Sequence, residues 1–76
     1  MARRMDSSRT RLAVRTVLVG FRAANVTAKQ VGGPEGEWLA ATAKRRAREI
    51  LDEIDEYGTN AKEELRAARR EVDGSP

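Results

Sequence analysis

The segment Gln30-Val31-Gly32-Gly33-Pro34-Glu35-Gly36 divides the chain and decides its fold. Gly32 is suited to end a helix in the left-handed conformation. Pro34 suits the first turn of a following helix, and Glu35 and Glu37 suit its positive end. Short connections of this kind join antiparallel helical neighbours.

Upstream, Val14, Val17, Leu18, Phe21, Ala24 and Ala28 recur at spacings of three and four. That is one face of a helix. Val14, Thr16, Val17 and Val19 are β-branched and would also suit a strand. The pattern runs too long for one strand, and Ala13, Ala23, Ala24 and Ala28 favour helix. Downstream, Leu39, Ala43, Ala47, Ile50, Ile54 and Tyr57 form a second stripe, continued in phase by Ala61, Leu65, Ala68 and Val72. One continuous helix would satisfy that phase, but Gly58-Thr59-Asn60 sets three poor helix formers in a row, which favours a break or kink. Gly58 reads as a C-terminal cap, and Asn60 with Glu63 as a capping box.

The expected fold is all-α: an antiparallel helical hairpin with a further C-terminal helical segment, part of an oligomeric bundle or larger assembly. A basic arm occupies residues 1–8, with Asp6, Ser7 and Ser8 as N-cap candidates. Helices are expected near 9–30, 37–57 and 61–72, with a turn at 31–36, a kink or break at 58–60 and a frayed tail at 74–76.

Composition limits function. The chain has 76 residues, no cysteine and no histidine. Thiolate and imidazole metal sites and the commonest general acid/base are therefore missing. Paired carboxylates such as Asp52 with Glu56, or Glu49 with Glu53, read as a solvated face. The glycine-rich turn lacks the Lys-Ser/Thr of a phosphate loop. No catalytic residue, metal or cofactor is expected, and no small-molecule substrate. The longest uncharged apolar stretch, Thr16 to Phe21, is far below the roughly 20 residues of a membrane span. Without an apolar leader after Met1-Ala-Arg-Arg, a cytoplasmic location is expected.

A chain this small buries only about 60% of its unfolded surface, so association is a route to stability. Leu12, Val19 and Val26 repeat every seven residues, well over 100° around the first helix from the Val14–Phe21 face. Arg11, Arg15, Arg22 and Lys29 lie between the two faces. Leu12, Val19 and Val26 are thus the expected surface for self-association or for docking on a larger protein assembly. Phe21, Trp38 and Tyr57 read as core or interface.

Charge divides the chain. Residues 1–33 carry seven basic groups and Asp6, and residues 34–76 carry eight basic and eleven acidic. Hairpin pairing would set Arg15 near Asp52, and Arg11 near Asp55 and Glu56, with nothing for Arg22. Lys44-Arg45-Arg46-Ala47-Arg48 reads as a solvated face with Arg45–Glu49 and Arg48–Asp52 pairs; Arg66, Arg69 and Arg70 read likewise against Glu63 and Asp73. Arg3, Arg4, Arg9 and Arg11, helped by Arg22 and Lys29, are candidate polyanion contacts, which makes non-specific nucleic-acid binding the alternative function.

The stretch Ile50 to Leu65 faintly resembles the helix–Gly–helix half of ribbon-helix-helix repressors, over less than a quarter of the chain. The resemblance implies a repressor-like regulator with Thr59 and Asn60 at a phosphate-touching helix start. Ala40–Arg48 reads as helix, where that family has its DNA-reading strand, and Leu65 and Val72 are few large apolars for a buried second helix.

Overall fold

The computed structural model describes residues 7–57 and 61–75, with side chains from Arg9 onward. They form three helices and no strand: α1 (Ser7–Val31), α2 (Gly33–Glu56) and α3 (Lys62–Gly74). The fold is all-α. α1 and α2 make the hairpin, and α3 packs back on both.

Two consecutive glycines make the hairpin bend. Gly32 has φ 68° and ψ 179°, and Gly33 has φ 61°. The Gly32 values are not those of the expected left-handed helical cap. They belong to the positive-φ, extended region that only glycine enters cheaply. The Gly32 amide still donates to the Ala28 carbonyl at 2.9 Å, and the Gly32 carbonyl accepts from Gly36 at 3.0 Å. Pro34 sits in the first turn of α2. One turn on, Gly36 is buried against α1, where a Cβ would collide with the Ala28 carbonyl oxygen. The helices touch backbone to backbone there.

The core contains Val14 and Phe21 of α1, Ala47, Leu51 and Ile54 of α2, and Leu65, Ala68 and Val72 of α3. Leu51, Ala68 and Val72 are fully buried. Leu51 lies outside the stripe expected for α2, because α2 has two neighbours. Its Ala43–Ile50 side lies along α1, and Lys44, Arg48, Asp52 and Asp55 reach α3. Leu51 falls with that second side. Trp38 and Tyr57, expected in core or interface, are 64% and 58% exposed.

α2 ends at Glu56, where the Tyr57 amide donates to the Ile54 carbonyl at 3.2 Å. Gly58, Thr59 and Asn60 lie outside the described residues, so neither the glycine cap nor the phosphate-touching helix start is placed. Ala61, not Asn60, is the N-cap of α3, without a side-chain cap bond. Glu63 pairs with Arg66 instead, at 3.3 Å. Residues 40–48 are helical, so the strand of a ribbon-helix-helix protein is absent there. Leu65, Ala68 and Val72 are the buried residues of α3 and join it to the core.

Candidate functional site

α1 is 25 residues long, and α2 and α3 cover only part of its circumference. Leu12, Val19 and Val26 remain 65%, 57% and 56% exposed, on the side both neighbours leave open. At 1.5 Å per residue they mark an apolar line about 21 Å long.

The line has unlike flanks. On one side lie the exposed Thr16, Gly20 and Ala23. Beyond them a groove of about 540 Å3 runs between α1 and α2, with Ala13, Val17, Ala24, Ala43 and Ile50 in its mostly apolar lining and Arg46 at it as well. Nothing lies within 4 Å of a Cβ built at Gly20, so the groove mouth is open.

The other flank carries Arg11, Arg15, Arg22 and Lys29. Arg11 Nε lies 2.9 Å from a Glu64 carboxylate oxygen. Arg22 engages Glu71 through two bonds, Nε and Nη2 each donating at 2.7 Å. The hairpin register expected for Arg11 therefore gives way to a partner on α3, and Arg22, expected to gain nothing, makes a bidentate pair. The reason is the third helix. With α3 against α1, carboxylates far away in sequence are nearer than those of α2. The Glu71 carboxyl is held below its ordinary pKa, chiefly by the Arg22 hydrogen bonds, and Arg22 is raised above its own by the same contact. Arg15 and Lys29 are exposed and have no ion pair among the described residues. Arg9 is exposed; Arg3 and Arg4 lie outside the described residues.

The basic cluster of α2 is also rearranged. Arg48 pairs with Asp73 at 2.7 Å, and Arg69 reaches Asp52 at 2.8 Å and Asp55 at 3.5 Å. Arg46, rather than Arg45, meets Glu49, at 3.6 Å. Lys44 Nζ donates to the carbonyls of Asp73 and Ser75 at the end of α3. The expected Arg48–Asp52 pair is replaced by contacts that hold α3 in place, and the expected Arg45–Glu49 pair by an i,i+3 pair within α2.

Thr10 is a buried polar residue that sequence reading passed over. Its place four residues before Val14, in phase with the core stripe, was the signal available. Among the described residues no buried side-chain polar atom lacks a partner, and no cluster of acidic residues could hold a metal ion. No described helix is long and apolar enough to cross a membrane. The chain matches no known protein family model, no curated protein and no solved structure.

Proposed function

We propose that this chain is a non-enzymatic helical interaction module, a small structural or adaptor subunit that associates through the outer face of α1, with itself or within a larger assembly. The exposed Leu12–Val19–Val26 line carries this reading. Scattered exposed apolar residues are ordinary, but an aligned row beside an apolar groove is what interfaces present.

Magnitudes say how such a face works. Fully burying a valine or leucine contributes about 1.5–3 kcal/mol, so covering the exposed part of three such side chains yields about 3–5 kcal/mol. Association costs about 4–15 kcal/mol in lost freedom. The line alone supports weak binding, and a stable complex also requires the groove or the charged flank.

Sedimentation equilibrium of the wild type and of Val19→Lys tests the reading. The wild type is expected to associate, or to bind a partner, and the variant to remain folded and lose that association. An unaltered association in Leu12→Lys/Val19→Lys would remove α1 from the interface.

A second reading, non-specific nucleic-acid association, is favoured by one observation. α1 holds Arg9, Arg11, Arg15, Arg22 and Lys29 and no acidic residue.

A further inference from the structure

The charges beside the apolar line distinguish among its occupants. Projected around α1 at 100° per residue, Arg15 and Lys29 fall on one flank of Leu12–Val19–Val26, with Arg11 and Arg22 on the same side. α3 lies along that side and supplies Glu64 to Arg11 and Glu71 to Arg22. Arg15 and Lys29 receive no carboxylate among the described residues. The opposite flank, Thr16, Gly20 and Ala23, is small and carries a charge only at its start, at Arg9, with no carboxylate.

A second copy fits this face poorly. A two-fold contact presents one patch to itself. Antiparallel pairing about Val19 would place Arg15, Arg22 and Lys29 along the same edge as their counterparts, concentrating like charge. Parallel pairing would set them against Thr16, Gly20 and Thr27, which offer no carboxylate. The outer face of α2 does carry Glu49, Glu53 and Glu56, all exposed, but no apolar row accompanies them.

We infer that the occupant is an amphipathic helix of a different protein, apolar along one stripe and bearing carboxylates along one edge. The inference rests on the reading of α1 as a docking face. α3 shows the same chemistry within the chain: it turns Leu65, Ala68 and Val72 inward and offers Glu64 and Glu71, seven residues apart, to arginines of α1. The partner lies along the next face of α1, with its acids toward Arg15 and Lys29. To follow a line of about 21 Å it needs about 14 helical residues.

The test is an amide-shift titration of the isotopically labelled chain with synthetic helical peptides of three heptads. One has a leucine stripe edged by glutamate, one the same stripe edged by lysine, and one the glutamate peptide scrambled. The molar mass of the free chain is measured alongside. The glutamate peptide is expected to shift amides around Leu12, Val19 and Val26, and to bind at least about tenfold more tightly than the lysine peptide, a difference of about 1.4 kcal/mol. Its affinity should fall several-fold as salt rises from about 50 to about 500 mM, as screening requires. Arg15→Glu with Lys29→Glu, both at exposed positions, should reverse the preference between the peptides. Equal binding of the glutamate and lysine peptides at the α1 face leaves the docking reading standing and overturns the acidic partner. A free chain already dimeric through α1, and made monomeric by Val19→Lys, does the same in favour of a second copy. Binding elsewhere on the surface, or a monomer that binds neither peptide, overturns both.

Discussion

Arg22 of α1 and Glu71 of α3, 49 residues apart, meet as a two-pronged fork, with both nitrogen–oxygen distances 2.7 Å. Arg11 meets Glu64, eleven residues earlier on α1 and seven earlier on α3. The two pairs advance together, so α3 runs parallel to α1. The Arg48–Asp73 and Arg69–Asp52 pairs run in opposite senses, so α3 is antiparallel to α2. The short connection between Glu56 and Lys62 already favours that antiparallel course, and the ion pairs agree with it.

The fork has a defined pH signature. The Glu71 carboxyl is lowered in the folded chain by the Arg22 hydrogen bonds. Its stabilisation is fully present above the unfolded value of about 4.3 and is lost as pH falls through the lower folded value. Glu71→Gln should therefore be less stable than wild type near neutrality and converge with it in acid. Chemical denaturation of both proteins across that pH range measures this. Arg22 is exposed and Glu71 only half-buried, so the difference should be small and shrink with salt. A gap that persists in acid would mean that the contact acts through packing instead.

Two glycines should answer the same substitution with opposite signs. Gly20 is a mid-helix residue with open space where a Cβ would stand. Gly20→Ala should stabilise by about 0.5–1 kcal/mol through helix propensity. Gly36 is also helical, but a Cβ there meets the Ala28 carbonyl oxygen, which is backbone and cannot rotate away. Gly36→Ala should destabilise by more than the roughly 1 kcal/mol that propensity offers, because α1 and α2 must separate. Thermal melts of the two variants suffice. Stabilisation by both would show that the hairpin does not close as tightly as Gly36 implies.

Leucine deletion separates core from docking face. Leu51 is fully buried and Leu12 is 65% exposed. Leu51→Ala should cost about 2–5 kcal/mol, much of the roughly 4–11 kcal/mol expected for a 76-residue domain. Leu12→Ala should leave the unfolding free energy of the monomer within about 0.5 kcal/mol of wild type. If Leu12→Ala instead destabilises in proportion to protein concentration, Leu12 is buried in an association. Unfolding at two concentrations reads this directly.

The helices and the hairpin could be read because period and punctuation agree: stripes at three and four on both sides of Gly32-Gly33-Pro34, and an interruption at Gly58-Thr59-Asn60. The exposure of Leu12, Val19 and Val26 followed from their angle to the Val14–Phe21 face. The docking of α3 was not legible. Leu65, Ala68 and Val72 make a thin apolar face, and a two-helix picture leaves nowhere to put it. That omission explains the rest. Without α3, Arg22 has no acid in reach, Leu51 has no neighbour, and the α2 basic cluster pairs within its own helix. Trp38 and Tyr57, read as core or interface, are exposed and so are not core residues.

Polyanion binding should be weak and governed by the acidic residues of α3. Glu64 and Glu71 already occupy Arg11 and Arg22, so few of the cations of α1 are open to phosphates. Three or four neutralised phosphates, from the basic arm with Arg15 and Lys29, would give a log–log salt slope of about −2.7 to −3.6 on duplex DNA. Dissociation constants should be of order 10⁻⁴–10⁻⁶ M at physiological salt, without sequence preference. No exposed face of α1 combines arginine with asparagine or glutamine in the spacing that reads base edges. Replacing Glu64 and Glu71 by glutamine should release both arginines, tighten binding and steepen the slope by about 0.9 for each new phosphate contact. Fluorescence titration of wild type and double variant at several salt concentrations supplies all three quantities. A slope unaltered in the double variant would remove Arg11 and Arg22 from the contact set, and loss of binding on deleting residues 1–8 would place it on the arm. Nanomolar, sequence-selective binding by the wild type would make nucleic-acid recognition, rather than helix docking, the leading function.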